Sequence, residues 1–197
     1  MDNPCVGTAT IMYVKADGTT EEKTFNKKEV SNVDKEKETQ VEAVEIKDVV
    51  HPDTMADWFK DFTNCLTIRG LWRIDTSRCV AFTNMFKGCE NVISKLDLTM
   101  WDTSKVVTME SMFENSGFRS VDISTWTQTA LRNVEAMFKD CTSLTTIYAS
   151  DAFDLSTASL GSWADMFLGC TNLIGGNGTA YDASRVTGAY ARIDRSG

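Results

Sequence analysis

The sequence predicts an α/β fold: a curved solenoid of about five strand–turn–short-helix repeats with a β-hairpin N-terminal cap. Two observations predict it. Apolar or small residues recur at offsets of 3, 4 and 7 in the groups Met55-Trp58-Phe59-Phe62, Phe82-Met85-Phe86-Cys89, Met109-Met112-Phe113-Ser116, Val134-Met137-Phe138-Cys141 and Trp163-Met166-Phe167-Cys170. Such offsets place each group on one face of a helix. The second members, Trp58, Met85, Met112, Met137 and Met166, follow one another at 27, 27, 25 and 29 residues. That period belongs to stacked repeats, each covering its neighbour's apolar face, and not to one globular core.

Residues 1–43 lie outside the repeat and read as a β-rich cap or accessory segment. Ile11 to Val14 and Thr19 to Phe25 flank Asp17-Gly18, the signature of a hairpin turn. Asn26 to Gln40 is dominated by Lys, Glu and Asp and reads as a solvated connection. Val41 to Ile46 alternates apolar and charged residues, as a half-buried strand does. Pro52-Asp53 stops that strand before a first helix at Thr54 or Met55.

Residues 44–174 hold the repeats. Gly88, Gly117, Asp140 and Gly169 stand where a helix C-cap is expected. Short strands follow at Lys95 to Thr99, Ser120 to Ser124 and Thr145 to Tyr148, and a large apolar residue closes each unit at Ile74, Trp101, Trp126 and Phe153. Asp75-Thr76-Ser77 and Asp102-Thr103-Ser104 are suited to turn the chain through side-chain bonds to nearby backbone N–H groups. Strands stack at about 4.8 Å and helices at about 10 Å, a mismatch that would bend the stack and line its concave side with strands. Residues 175–197 read as a closing cap: Gly175-Gly176-Asn177-Gly178 breaks the pattern, and Tyr181 to Ile193 folds over the last unit.

A net charge of −8 argues against nucleic acid, which needs a basic face, and no stretch approaches the 18 apolar residues of a membrane span. The start, Met1 to Cys5, has neither a basic nor an apolar signal-peptide region. The chain is therefore either cytoplasmic or exported by a leader outside this sequence. Of the six cysteines, Cys89, Cys141 and Cys170 occupy one position in three repeats, with Ser116 in a fourth. Equivalent cysteines on helices about 8–10 Å apart would be too distant to bridge, so free buried thiols are expected. Cys5, Cys65 and Cys79 fall outside that column.

With this pattern laid out, the chain resembles the BspA-like leucine-rich-repeat surface proteins and the related mycoplasma lipoprotein repeat domain of unknown function. The resemblance rests on Leu96 to Val106 followed by Met112-Phe113, on Met137 to Ser150, on Met166-Phe167 through Cys170 to Asp182, and on Tyr190 to Asp194. It covers roughly residues 44–194 and implies a leucine-rich-repeat-like fold. It also implies a secreted or surface-exposed bacterial protein that contacts host proteins, matrix or neighbouring cells, with glycan as a further partner class.

If Leu96 and Leu98 point inward, Lys95, Asp97 and Thr99 point out onto the concave sheet. By the same alternation Ser120, Asp122 and Ser124, then Thr146 and Tyr148, share that face. These eight residues are the candidate partner-binding set, against the alternative of a merely solvated sheet. Trp101 and Trp126 share a column with Ile74 and Phe153 and are expected to be buried, not to stack on sugars. His51, the one histidine, stands beside Pro52 without a motif partner. No catalytic or metal-binding motif appears, and no cofactor is expected. The reading is a non-enzymatic recognition or adhesion module with a protein partner. The alternative is a structural assembly component, of a surface layer or virion, that oligomerises through the N-terminal segment.

Overall fold

The computed structural model describes residues 8–26, 40–155, 161–175 and 178–190. Residues 27–39 of the expected Asn26 to Gln40 connection, Cys5, Gly176-Asn177 and the closing segment beyond Tyr190 lie outside the described residues. Seven strands form two sheets: β1 (Thr8–Lys15), β2 (Thr20–Asn26), β3 (Val41–Ile46) and β4 (Thr67–Arg69) in the order β2-β1-β3-β4, and β5 (Lys95–Asp97), β6 (Ser120–Asp122) and β7 (Thr146–Tyr148) in sequence order.

The hairpin forms where Asp17-Gly18 places it. Gly18 takes a left-handed φ of 79°, which glycine adopts without steric cost, and Asp17 Oδ1 accepts the Thr19 amide at 2.9 Å. Strand β3 pairs antiparallel with β1 and parallel with β4. A register shift at Val14/Lys15 sets Lys15 opposite Val41 and Val14 opposite Ala43. The bulge explains why Val41 and Val44, three residues apart, are both buried. Tyr13 of the hairpin meets Phe62 edge-on at 6.3 Å, joining this sheet to the first repeat.

The expected curved α/β, leucine-rich-repeat-like solenoid of strand–turn–short-helix repeats is overturned. Among the described residues there is no α-helix, and the strands divide between two separate small sheets. The 3, 4, 7 groups are runs of tight turns. In each run two residues four apart take positive φ: Asp57 and Asp61, Asn84 and Gly88, Ser111 and Asn115, Ala136 and Asp140, Asp165 and Gly169. A helix cannot pass through left-handed residues. Asp, Asn and Gly tolerate that conformation best, and they fill most of these positions. Gly88, Asp140 and Gly169, read as helix caps, are therefore turn residues. Gly117 has another role: a Cβ there would lie 1.9 Å from the Glu90 carbonyl oxygen.

Backbone bonding shows why turns replace helix. Met55, Asp57, Phe59 and Asp61 donate their amides to Ala81, Thr83, Met85 and Lys87 of the next repeat at 2.7–3.0 Å. The intervening amides close turns locally, as Trp58 to Met55 and Lys60 to Asp57 do. The alternation recurs at Phe82–Gly88, Met109–Asn115 and Val134–Asp140. Every second donor is thus spent on a neighbouring repeat, whereas a helix would spend all of them on itself. A run of about eight residues is also too short to repay helix nucleation.

This bonding sets the repeats at sheet spacing on both sides. Phe59, Phe86, Phe113, Phe138 and Phe167 form one row, with successive ring centroids 5.4, 5.6, 5.1 and 5.9 Å apart. The 8–10 Å of packed helices is excluded, and the curvature argued from unequal spacing loses its premise. Trp101 and Trp126 are buried and stacked at 6.5 Å, and their indoles donate to the Leu71 and Leu98 carbonyls. Thr76 and Thr103, also buried, donate to the Asp102 and Thr127 carbonyls of the following repeat. Trp163 breaks the pattern: it is 39% exposed, because its repeat is the last of the five and is covered only in part, by Val186 to Gly188.

The described cysteines are free and buried. Their thiols serve the stack: Cys89, Cys141 and Cys170 donate to the carbonyls of Phe59, Phe113 and Phe138 at 3.0, 2.8 and 2.8 Å. Burial pushes the Cys65 thiol up to about 11 and the Cys79 thiol up to about 12, so neither ionises near neutrality.

Phe138→Ala removes a ring stacked on both sides and should cost about 3–5 kcal/mol in urea unfolding. Met100→Ala, at a side chain 75% exposed, should change stability by less than about 0.5 kcal/mol. Equal effects from the two would mean that the ring row contributes little.

Candidate functional site

The eight expected side chains belong to the three-stranded sheet and the turns that leave it. Parallel pairing puts Lys95, Ser120 and Thr146 in one register row and Asp97, Asp122 and Tyr148 in another. Between these rows Leu96 and Val121 are buried and Ile147 packs against the core. The strands are three residues long, shorter than expected, so Thr99 and Ser124 lie in the following turns. Each turn is held by the preceding aspartate: Asp97 Oδ1 accepts the Thr99 amide at 3.0 Å and hydroxyl at 2.7 Å, and Asp122 does the same for Ser124 at 3.2 and 2.8 Å.

Lys95 ties the rows together. Its ammonium lies 3.1 Å from Asp122 on the adjacent strand and 5.2 Å from the centre of the Tyr148 ring on the strand beyond it. Diagonal charge pairs of this kind and cation–π contacts each contribute modestly at an exposed site. Their effect here is to fix three side chains in one arrangement. Tyr148 keeps 49% of its surface exposed.

The electrostatics follow from these bonds. The Thr99 hydroxyl and amide hold the Asp97 carboxyl below the usual carboxylate range, against a smaller opposing effect from Asp122. Burial opposes the charge on Asp122, but hydrogen bonds from Ser124 and Lys95 outweigh it and lower its pKa too. The hydrogen bond to Asp122 raises the pKa of Lys95. At neutral pH the face carries two carboxylates against one ammonium.

Beside this sheet lies an open groove of about 420 Å³ that the sequence reading missed. It separates β4 from β5 and is lined by Ile68, Gly70, Trp72, Lys95 and Met100 among others. Trp72 is 63% exposed, and the Arg73 guanidinium sits 4.1 Å above its ring. The groove opens where β4 is displaced within its repeat. The tryptophan bonds equate Leu71 with Leu98, and six positions separate Cys65 from Leu71 as they separate Val92 from Leu98. The repeat is unchanged in length, but β4, Thr67–Arg69, stands one position earlier in it than β5, Lys95–Asp97. Gly70 turns the chain out of β4 at φ 78°, and a Cβ there would lie 2.3 Å from the Ile46 carbonyl oxygen. Strand β4 pairs with β3 and not with β5. Glycine at the position of Asp97 was the available sequence signal.

His51 pairs with Asp75 at 2.8 Å, and Asp75 also accepts the Ser77 amide at 3.0 Å, so the histidine braces the first Asp-Thr-Ser turn. Among the described residues no group of three or more His, Cys, Asp or Glu could hold a metal ion. No helix among them is long and apolar enough to cross a membrane.

The Asp97 arrangement has a titration signature. Its folded pKa is depressed, so its contribution to stability is present above the ordinary value of 3.8 and is lost as pH falls through the folded value. Thr99→Val, which removes the hydroxyl, should move the Asp97 inflection in an NMR titration upward toward 3.8. An unmoved inflection would remove the hydroxyl as the main cause.

Residues 53–179 match the family described as Mycoplasma protein of unknown function, DUF285. No curated protein and no solved structure matches the chain. The matched stretch contains every 3, 4, 7 group, all three strands of the candidate face and the groove beside them. As it also spans more than half of the 197 residues, the chain belongs to this family.

Proposed function

We propose that the chain is a non-enzymatic recognition module that binds a protein partner through the outward face of the three-stranded sheet. The observation that carries this reading is the Lys95–Asp122–Tyr148 cluster. Its ion pair is exposed on the lysine side, and such pairs add little to stability. A half-exposed tyrosine and three charges gathered in fixed positions suit contact with a partner, since preorganised side chains lose little entropy on binding. The partner surface would be polar and carry more basic than acidic groups, to complement Asp97 and Asp122. The resemblance to BspA-like surface proteins favours a secreted or cell-surface setting, with host, matrix or neighbouring-cell proteins as partners and glycans as a second class.

The test is capture by arrays of extracellular matrix proteins and glycans, comparing wild type with an Asp97→Ala/Asp122→Ala/Tyr148→Ala variant of matched circular dichroism and melting temperature. Loss of capture by about tenfold or more, equivalent to at least about 1.4 kcal/mol, is expected. Equal capture by both proteins would exclude this face as the binding site.

A further inference from the structure

The cysteine column contains one place where two thiols occupy consecutive repeats. Cys89 is flanked by Phe62 and Ser116, whereas Cys141 is followed by Cys170. Outside the column, Cys65 aligns with Val92 and Cys79 with Val106, and Cys65 lies near Cys89, although not in its row.

The stack brings Cys141 and Cys170 together. Phe138 donates to Met166 at 2.9 Å, and Asp140 donates to Leu168, so the two chains run in register up to the residue before each cysteine. On the far side the Asn172 side chain donates to the Thr142 carbonyl at 2.7 Å. Chains paired at sheet spacing stand about 4.8 Å apart, inside the roughly 4.4–6.8 Å Cα separation of disulfides. The 5.9 Å between the Phe138 and Phe167 rings agrees with that spacing. The separation of helices that would have kept these thiols apart does not exist here.

From this geometry we infer that Cys141 and Cys170 form a disulfide that ties the last two repeats together when the protein meets a small-molecule disulfide. Either sulfur can attack first as the thiolate, here Cys141. Its thiolate displaces one thiolate from the small disulfide and leaves a mixed disulfide. Cys170 then loses its proton and attacks the Cys141 sulfur, expelling the second thiolate. Two protein thiols give up two protons and two electrons, and the small disulfide is reduced to two thiols. Both sulfurs turn away from the Phe113 and Phe138 carbonyls that now accept their hydrogens. Because both are buried, the exchange takes place as the chain folds or while the last repeat is open.

The full chain is unfolded in urea with reductant and refolded either with reductant or with a mixture of oxidised and reduced glutathione. Thiols are then counted under denaturing conditions and the cross-linked peptides mapped. Two of the six thiols should disappear in the oxidised sample, with the bond mapped to Cys141–Cys170. Cys89→Ser should still lose two, Cys170→Ser should lose none, and oxidised wild type should unfold at higher urea than reduced wild type. Six thiols retained, a bond between another pair, or glutathione left on Cys141 without a cross-link would each overturn the inference.

Discussion

Each of the first four repeats directs every second backbone amide of its turn run at a carbonyl of the next repeat, and the rest of the structure depends on that choice. The bonds hold successive repeats at sheet spacing along the turns, where helices would have imposed nearly twice the distance. That spacing allows one phenylalanine per repeat to stack face to face, buried indole and threonine groups to reach a neighbouring carbonyl, and thiols to cap the carbonyl of the preceding row. Remove the inter-repeat bonds and the turn runs would leave half their buried amides without acceptors, at a cost of about 1–3 kcal/mol each.

The same constraint positions the candidate face. Three short strands stay in strict register because the turn runs behind them are locked, and that register sets Lys95 diagonally across from Asp122 and Tyr148. Where the strand stands one position earlier in its repeat, just before Gly70, the sheet divides and a groove opens between β4 and β5. The face and the groove are thus two consequences of one rule, obeyed in one place and interrupted in the other.

Much of this was legible in the sequence. The hairpin at Asp17-Gly18, the buried Trp101 and Trp126 and the inward Leu96 and Leu98 follow from turn chemistry and strand alternation. The helices did not form, because offsets of 3, 4 and 7 describe a face without describing how the backbone reaches it. The contrary signal was present: Asp57, Asp61, Asn84, Asn115, Asp140 and Asp165, with Gly88 and Gly169, recur at the second and sixth positions after each group's first residue. Those residue types accept a left-handed backbone. Strand β4 was missed because its three residues pair with β3, a partner outside the period, and the groove because it arises from a one-position shift of that strand within a repeat of unchanged length.

One substitution separates the two backbone conformations by the sign of its effect. Ala136 holds φ 53° within a turn run, and its amide donates to Ala164 at 2.9 Å. A left-handed alanine is strained by about 1–2 kcal/mol, and glycine relieves that strain while regaining part of it as unfolded-chain entropy. The urea unfolding free energy of Ala136→Gly should therefore rise by about 0.5–1 kcal/mol. In a helix the same change would lower stability by about 1 kcal/mol, and a fall of that size would contradict the stacked-turn account.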